Sequence, residues 1–368
     1  MNTIKAAVVR NPGQDFAIEQ LTIDDPKADE VLVKIVGVGV CHSDIAARDQ
    51  DLPVALPVVL GHEGSGIVEK VGSNVTGLQP GDHVVLSFHA CGTCHTCEEH
   101  HPSYCNNFMP LNFLCGRLDG TKALHKDGED IGSHFFGQSS FGTYAIANKA
   151  NTIKVRNDAP LELLGPLGCG IQTGAGSIIK AFAAKKGSTL LVAGGGTVGL
   201  AAVMGGAVQG CSKIIVVEPH ASRRELALSL GATHAIDPMA TEDLTAAILA
   251  IAPEGLNYAF DTTALQVVID GIVPAMAQLG TLGLVGIPKA DKPSLSFNVI
   301  AMLSKGIKVM GITEGDADPA QFIPEMVDLY MDGRFPFDKL CKTFAFDDIN
   351  TAVTEQLKGG CIKPVLLP

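Results

Sequence analysis

Thr189-Leu190-Leu191-Val192-Ala193-Gly194-Gly195-Gly196-Thr197-Val198-Gly199 is the stretch on which the fold turns. A short, almost wholly apolar run has the length of a buried strand, and it breaks into G-x-G-x-x-G before an apolar helix that reaches about Gln209. Alone, the motif carries little: with 41 glycines in 368 residues, chance supplies roughly half a hit per chain. Its context carries more. A second strand, Lys213-Ile214-Ile215-Val216-Val217, ends in Glu218, about twenty residues past the glycines, where a carboxylate can meet the ribose of a dinucleotide. The pyrophosphate rests on the helix N-terminus, where free N–H groups and the helix dipole favour an anion. Strand and helix continue to alternate through Asn257-Tyr258-Ala259-Phe260-Asp261 and Thr281-Leu282-Gly283-Leu284-Val285-Gly286, which predicts a doubly wound parallel sheet.

Upstream, the chemistry passes from glycine to cysteine and histidine. Cys41-His42-Ser43-Asp44 and Gly61-His62-Glu63-Gly64 offer a thiolate and an imidazole, both suited to Zn²⁺, and a catalytic zinc needs three protein ligands with one position left open. Cys169, in Pro166-Leu167-Gly168-Cys169-Gly170, is the candidate third ligand because it closes the first large segment just before the nucleotide pattern begins. His62 taken alone reads equally well as a buried histidine in a tight turn. Around these residues, from Ile4 to about Asp82, short β-rich runs such as Val31 to Val36 and Gly66 to Val71 alternate with Gly, Pro and Asp turns, as in a compact, mainly antiparallel, barrel-like unit.

Cys91, Cys94, Cys97 and Cys105 stand in the spacing C-x2-C-x2-C-x7-C. Ten cysteines in a chain of this length would produce it by chance on the order of 10⁻⁴ times. Four thiolates close a zinc site without an open position, so its role is structural. An iron–sulfur cluster of the bacterial ferredoxin type would want the fourth cysteine three residues on and followed by proline, whereas Asn106 follows Cys105. A zinc ribbon for nucleic acid would carry basic residues, yet neither Lys nor Arg occurs between Lys70 and Arg117.

Apolar residues make up 46% of the chain and charged ones 18%, the balance of a well-buried globular enzyme with room for two domains. A net charge of −12 speaks against a nucleic-acid or anionic-membrane partner. Neither a signal peptide nor a membrane-length apolar run is evident, so a cytoplasmic protein is expected, with its cysteines as thiols and metal ligands rather than disulfides. Between Asn106 and Tyr144 lie Phe108, Phe113, Phe135, Phe136, Phe141 and Tyr144, in a protein without tryptophan. Each ring reads equally well as core or as the wall of an apolar substrate pocket. From about Ile312 the pattern returns to mixed helix and strand. The expected organisation is a nucleotide domain, 171–312, inserted between the two parts of a catalytic domain, 1–170 and 313–368, with zinc and cofactor meeting in the cleft.

Taken together, Gly61-His62-Glu63, the four-cysteine lobe, Cys169 and Gly194 to Gly199 resemble the zinc-dependent medium-chain alcohol dehydrogenase family over essentially the whole chain. Pro166 to Gly174 and Phe136-Gly137-Gln138-Ser139-Ser140-Phe141 look like its aryl-alcohol (benzyl alcohol) and geraniol dehydrogenase branch, and Ile312-Thr313-Glu314-Gly315-Asp316-Ala317-Asp318-Pro319 looks nearest to the geraniol enzymes. The resemblance implies an α/β protein with a GroES-like, mainly-β catalytic domain and a Rossmann coenzyme domain. It implies two zinc ions per chain, one on Cys41, His62 and Cys169 and the other on Cys91, Cys94, Cys97 and Cys105, with Glu63 and Asp44 behind the catalytic ligands. It places Ser43 as first acceptor of the alcohol proton, Thr173 beside the nicotinamide, Glu218 and Arg223 at the adenosine ribose, and Lys363 and His42 near the pyrophosphate. Gly194, Gly196, Thr197, Val198, Gly199, Thr262, Val285 and Ile287 complete the cofactor contacts.

A zinc with an open position supplies charge at an alcohol oxygen while nicotinamide takes the hydride. One departure stands out: three residues after Ser43, where many relatives carry a histidine that finishes the proton relay, this chain has Ala46. Proton exit is then expected through Ser43, the ribose hydroxyls and water. Glu218 predicts NAD over NADP, since its carboxylate would repel a 2′-phosphate, although His220, Arg223 and Arg224 pull the other way. The expected substrates are primary benzylic or allylic alcohols, aryl or terpene, oxidised reversibly to aldehydes. The alternative is a polyol or short-chain aliphatic alcohol dehydrogenase of the same family. A nicotinamide-binding protein without catalysis would be expected to lose the three ligands, and all are present. Assembly as a homodimer or homotetramer is expected from family habit.

Overall fold

The apolar run Thr189–Ala193 is the third strand in a six-stranded sheet, and four of its five residues are buried. In the computed structural model, which describes residues 2–288 and 292–368, this sheet runs His234–Ile236, Lys213–Val217, Thr189–Ala193, Leu256–Asp261, Met276–Leu284, Lys308–Gly311. Every neighbouring pair is parallel. Numbered along the chain, the order is 3-2-1-4-5-6, the doubly wound dinucleotide arrangement, in which ligands bind beyond the carboxyl ends of the strands where the order reverses. The central strands read as unbroken Val, Ile and Leu because helices cover both faces and neither face meets water. Their registers bring Ala193, Val217 and Asp261 level, so that Gly194, Glu218 and Thr262 emerge side by side.

Contacts divide the chain into Ile171–Ala317 with Arg334–Pro336, which holds this sheet, and Met1–Gly170 with Asp318–Gly333 and Phe337–Pro368. The second unit is built on two sheets. One comprises the strands Val58–Val59, Asn2–Val9, Ala17–Ile23, Leu124–Lys126 and Glu129–Ile131, all antiparallel. The other has seven strands around Glu30–Gly39, which pairs antiparallel with Gly64–Val71, Tyr144–Asn148 and the terminal strand Lys363–Leu367. Only Cys341–Ala345 against Lys363–Leu367 is parallel. The mainly antiparallel β unit expected from the Gly, Pro and Asp punctuation is what forms.

Two features of the central strand position the site. Its pairing with Gly64–Val71 shifts register between Ile35 and Gly37, an irregularity that twists the strand just before it ends at Gly39 and passes through Val40 to Cys41. The terminal strand then locks that end, through Val365 opposite Gly39 and the Val40 amide on the Pro364 carbonyl. Cys41 is thereby delivered at the start of the helix His42–Asp49 by a strand tied on both edges.

Candidate active site and metal centres

Asp44 organises the first donor set. Its Oδ2 accepts from the Cys41 amide at 2.9 Å, the reciprocal bond of a helix N-terminus, and its Oδ1 accepts from the Gly61 amide at 3.0 Å and meets His62 Nδ1 at 2.9 Å. The carboxylate thus ties the helix to the loop that carries His62 and fixes that ring with its proton on Nδ1. His62 is fully buried, and its Nε2 has no hydrogen-bond partner among the described residues. A buried nitrogen lone pair left open in this way is what a metal ligand offers and what an ordinary core histidine avoids. Gly61 makes the approach possible: it lies at φ +88°, and a Cβ there would stand 2.5 Å from the Phe141 amide.

Cys41, His62, Glu63 and Cys169 each bring one donor atom to a group within 4.8 Å of one another. Two thiols, an imidazole and a carboxylate suit Zn²⁺, and Cys₂His leaves a fourth position that is either open or reachable by Glu63. Here the fourth donor is held back: both Glu63 oxygens meet Lys363 Nζ at 2.8 Å, and the same ammonium donates to the Val40 carbonyl at 3.0 Å. Lys363, reached from the far end of the chain, is 1% exposed, and its three protons are taken up within this unit. A Cβ at Gly39 would collide with Glu63 Oε2, so only glycine admits the carboxylate.

The electrostatics fit a cationic guest. The Cys169 thiol hydrogen-bonds Cys41 and holds it well below the ordinary thiol range, against burial and with help from Lys363 and His62. Burial works against a charged His62, but Asp44 and Cys41 together hold it well above its usual value. Burial pushes the Glu63 carboxyl up to about 7 against the pull of Lys363. In the absence of a cation, protons occupy the places a metal would take: the Cys41 thiolate, the His62 imidazole on Asp44 and the Glu63 carboxyl are donors from which a divalent cation would displace them.

His62 is also packed from the side. Phe136 stacks on its ring at 4.4 Å and 23°, and Phe135 meets it edge-on at 5.5 Å. Phe113 and Phe108 extend the cluster through Phe136 at 5.0 and 6.4 Å. Phe141 stands apart from this group, edge-on to Phe16. Gln138, which the sequence reading gave no role of its own, is a strut: its Nε2 donates to the His62 and Ser87 carbonyls and its Oε1 accepts from the Gly64 amide. Only the tertiary fold shows that; a buried amide in an aromatic stretch carries no spacing signal. Ser43 Oγ lies 4.0 Å from Cys41 Sγ, and His42 is exposed on the same helix.

The second donor set is Cys91, Cys94, Cys97 and Cys105, again within 4.8 Å. Backbone amides of Cys91 and Asn107 point at Cys105 Sγ, at 3.3 and 3.4 Å, and that of Asn106 at Cys94 Sγ at 3.4 Å. N–H groups aimed at sulfur favour thiolates, and the Thr96 hydroxyl with the Asn106 and Cys97 amides brings Cys94 down to about 5. All ten cysteines are free thiols.

In the other unit, Gly194 turns at φ +99° and the helix Thr197–Gln209 starts from Gly196. A Cβ at Gly199 would collide with the Gly194 carbonyl, whereas one at Gly196 would meet no atom within 4 Å. The first glycine serves helix-to-strand packing and the second opens space over the helix N-terminus, as a bound pyrophosphate requires. Glu218 lies beside this loop, buried, with Oε2 accepting from Gly195 N at 2.6 Å and Oε1 from His220 N at 2.9 Å. Arg224, not Arg223, bonds the Glu218 carbonyl and pairs with Asp237; Arg223 Nε is buried without a hydrogen-bond partner among the described residues. Thr262 Oγ1 donates to the Ala193 carbonyl at 2.8 Å, Val198 packs its carbonyl on Gly174 next to Thr173, and Ile287 is largely exposed. Asp261, read from the sequence only as the end of a strand, holds Thr263 and Ala264 with its carboxylate and accepts from the Val285 amide with its backbone carbonyl.

Comparison with known proteins agrees with this chemistry. The chain matches the models for the alcohol dehydrogenase GroES-like domain over residues 27–157 and for zinc-binding dehydrogenases over 197–331. It is 50% identical to geraniol dehydrogenase of Castellaniella defragrans over 364 residues, 99% of this chain and 97% of that one. The crystal structure of benzyl alcohol dehydrogenase from Acinetobacter calcoaceticus superposes with a TM-score of 0.96 at 46% identity, covering 100% of this chain and 99% of the other. An alcohol dehydrogenase zinc-binding domain protein from Burkholderia ambifaria gives 0.98 at 47%, with coverage of 100% and 99%. Relatedness of this depth over the full chain, with an open Cys₂His set in one unit and a dinucleotide loop in the other, means that the chain belongs to the zinc-dependent medium-chain alcohol dehydrogenases.

Proposed function

We propose that this enzyme oxidises primary benzylic or allylic alcohols, aryl or terpene, to aldehydes with NAD, reversibly, and that each chain holds two zinc ions. The observation that carries the reading is the aromatic packing of the catalytic imidazole: four phenylalanines interlock on and beyond His62. The identity to geraniol and benzyl alcohol dehydrogenases adds support. Cys41, His62 and Cys169 would hold a zinc ion whose Lewis acidity serves the alcohol oxygen, and the glycine loop would hold the nicotinamide cofactor that supplies a hydride acceptor. Asp44 keeps His62 Nε2 turned to the metal, and Lys363 holds Glu63 off it. Ser43 takes the alcohol proton and, since Ala46 offers no acceptor, gives up its own hydroxyl proton to the ribose hydroxyls and water. Phe136 covers one face of the imidazole and Phe135 meets it edge-on, which keeps water from the ring and strengthens the charge interactions it makes.

NAD preference follows from Glu218, whose carboxylate, placed at the glycine loop, would accept from ribose hydroxyls and repel a phosphate. Arg223 and His42 keep their assigned places near ribose and pyrophosphate by resemblance, as do assembly as a homodimer or homotetramer and a cytoplasmic location; Lys363, assigned to the pyrophosphate on the same ground, would have to give up one of its bonds to Glu63 or Val40 to reach it. Among the described residues no helix is long and apolar enough to cross a membrane. The test is kcat/KM across benzyl, cinnamyl, geranyl and perillyl alcohols against ethanol and sorbitol, with NAD and NADP. The conjugated alcohols with NAD should lead by tenfold or more, since each buried CH₂ contributes about 0.8 kcal/mol. Ethanol or sorbitol at parity would overturn the substrate assignment, and NADP at parity the cofactor choice; Glu218→Ala should narrow the NAD preference.

A further inference from the structure

The strut Gln138 reaches further than the loop that carries the imidazole. It is 1% exposed, and its amide spends its full bonding capacity. Nε2 donates to the His62 carbonyl at 2.9 Å and the Ser87 carbonyl at 3.1 Å, while Oε1 accepts from the Gly64 amide at 3.1 Å and the Ser140 hydroxyl at 3.0 Å. Turned over, the amide would set donor against donor at Gly64 and oxygen against oxygen at His62 and Ser87, so these neighbours fix one orientation. Ser87 continues the path. Asn151 grips its backbone, donating from Nδ2 to the same carbonyl at 3.0 Å and accepting the Ser87 amide at 3.1 Å. The Ser87 hydroxyl donates to the Gly168 carbonyl at 2.6 Å. Gly168 precedes Cys169 and lies so close to the end of the strand His83–Leu86 that a Cβ there would collide with the Leu86 carbonyl. An unbroken series of buried hydrogen bonds thus joins the backbone of His62 to the residue beside Cys169.

We propose that Gln138, acting through Ser87, is a positioning residue that sets the separation of His62 and Cys169, and with it the affinity and coordination geometry of the metal they share with Cys41. This rests on the reading of those three residues as zinc ligands. Asp44 and Gln138 divide the labour: Asp44 turns the ring by its Nδ1, and Gln138 places the backbone from which the ring extends. A buried polar network with every member satisfied is rigid. The two ligands are therefore preset, and the ion does not have to draw them together. Groups that orient metal ligands from behind contribute about 10–100-fold in affinity.

The test is zinc competition against a chromophoric chelator, followed by cobalt substitution. Gln138→Met keeps the length of the side chain and removes all four hydrogen bonds. It should weaken zinc at Cys41, His62 and Cys169 by about tenfold or more and leave the affinity of the four-cysteine site unchanged. That second site is an internal control, because a general loosening of the unit would weaken both. Cobalt held by the Cys₂His set absorbs visible light in bands that follow its coordination geometry, and these should shift in Gln138→Met. Ser87→Ala deletes a single hydroxyl at the far end of the path and carries the same expectation, should the first variant fail to fold. Wild-type affinity at both sites, equal weakening of both, or cobalt bands identical to the wild type would reduce Gln138 to a packing role and overturn the inference while the zinc reading stands. A wild type that binds zinc on the four cysteines alone fails the zinc reading and takes the inference with it.

Discussion

One carboxylate, Asp44, takes up three N–H groups at once, from the Cys41 and Gly61 backbones and from His62 Nδ1. Asp44→Asn keeps the shape but turns one acceptor oxygen into a donor, so at least one N–H faces another donor inside a fully buried site. Leaving such groups unmatched costs about 2–4 kcal/mol, and weakening the support of a metal-ligating histidine lowers zinc affinity about 10–100-fold. The variant dialysed against a chelator should therefore keep one zinc per chain, on the cysteine lobe, where the wild type should keep two. Retention of both with unchanged activity would mean that His62 does not depend on Asp44. The four cysteines were legible as a metal site because their spacing is local. His62 was not legible on its own, since what separates a ligand from a core histidine is an unpartnered Nε2 and a carboxylate eighteen residues away in sequence.

At the scale of elements, the glycine loop divides its labour in a way that the motif does not announce. The spacing G-x-G-x-x-G says only that three glycines are wanted, while the packing says why each is. Gly199→Ala drives a methyl into the Gly194 carbonyl and should destabilise the fold by about 1–3 kcal/mol, as overpacking does. Gly196→Ala meets open space at an ordinary negative φ of −82°. Its stability should change by less than about 0.5 kcal/mol, while its affinity for the dinucleotide falls tenfold or more, because the methyl occupies the approach to the helix N-terminus. Thermal melts with and without NADH distinguish the two; a Gly196→Ala protein with full NADH affinity would show that the pyrophosphate does not sit there. The parallel sheet itself was legible from the continuous apolar runs, but its strand order was not. Order depends on which helices cross which face, and no local pattern records that.

At the scale of the whole chain, the unit that carries both cysteine sets is tied by pairings that no reading of neighbours could supply. Lys363 reaches Glu63 across 300 positions, and Arg117 reaches Glu30 across 87. The second pair has a measurable signature. Glu30 is buried and bonded twice by Arg117, at 2.7 and 3.0 Å, with His134 Nε2 at 3.5 Å and the Lys27 amide at 2.8 Å. Burial opposes its charge, yet His134 and Arg117 bring the carboxyl from 4.5 down to about 2. A depressed carboxyl contributes stability that is complete above its unfolded value, near 4.5, and is lost as pH falls through the folded one, near 2. A shift of this size corresponds to about 3 kcal/mol. Acid also strips zinc from thiolates and drives the net charge of −12 strongly positive, so falling stability in the wild type alone would prove nothing. The informative quantity is the difference between wild type and Glu30→Gln, in which those shared losses cancel. Unfolding free energies from urea titrations should differ by about 3 kcal/mol at pH 7 and converge between pH 4.5 and pH 2 as the wild-type carboxylate takes up its proton. A gap that stays constant across that interval would show that the Glu30 charge is not what joins the strand Glu30–Gly39 to the Arg117 loop.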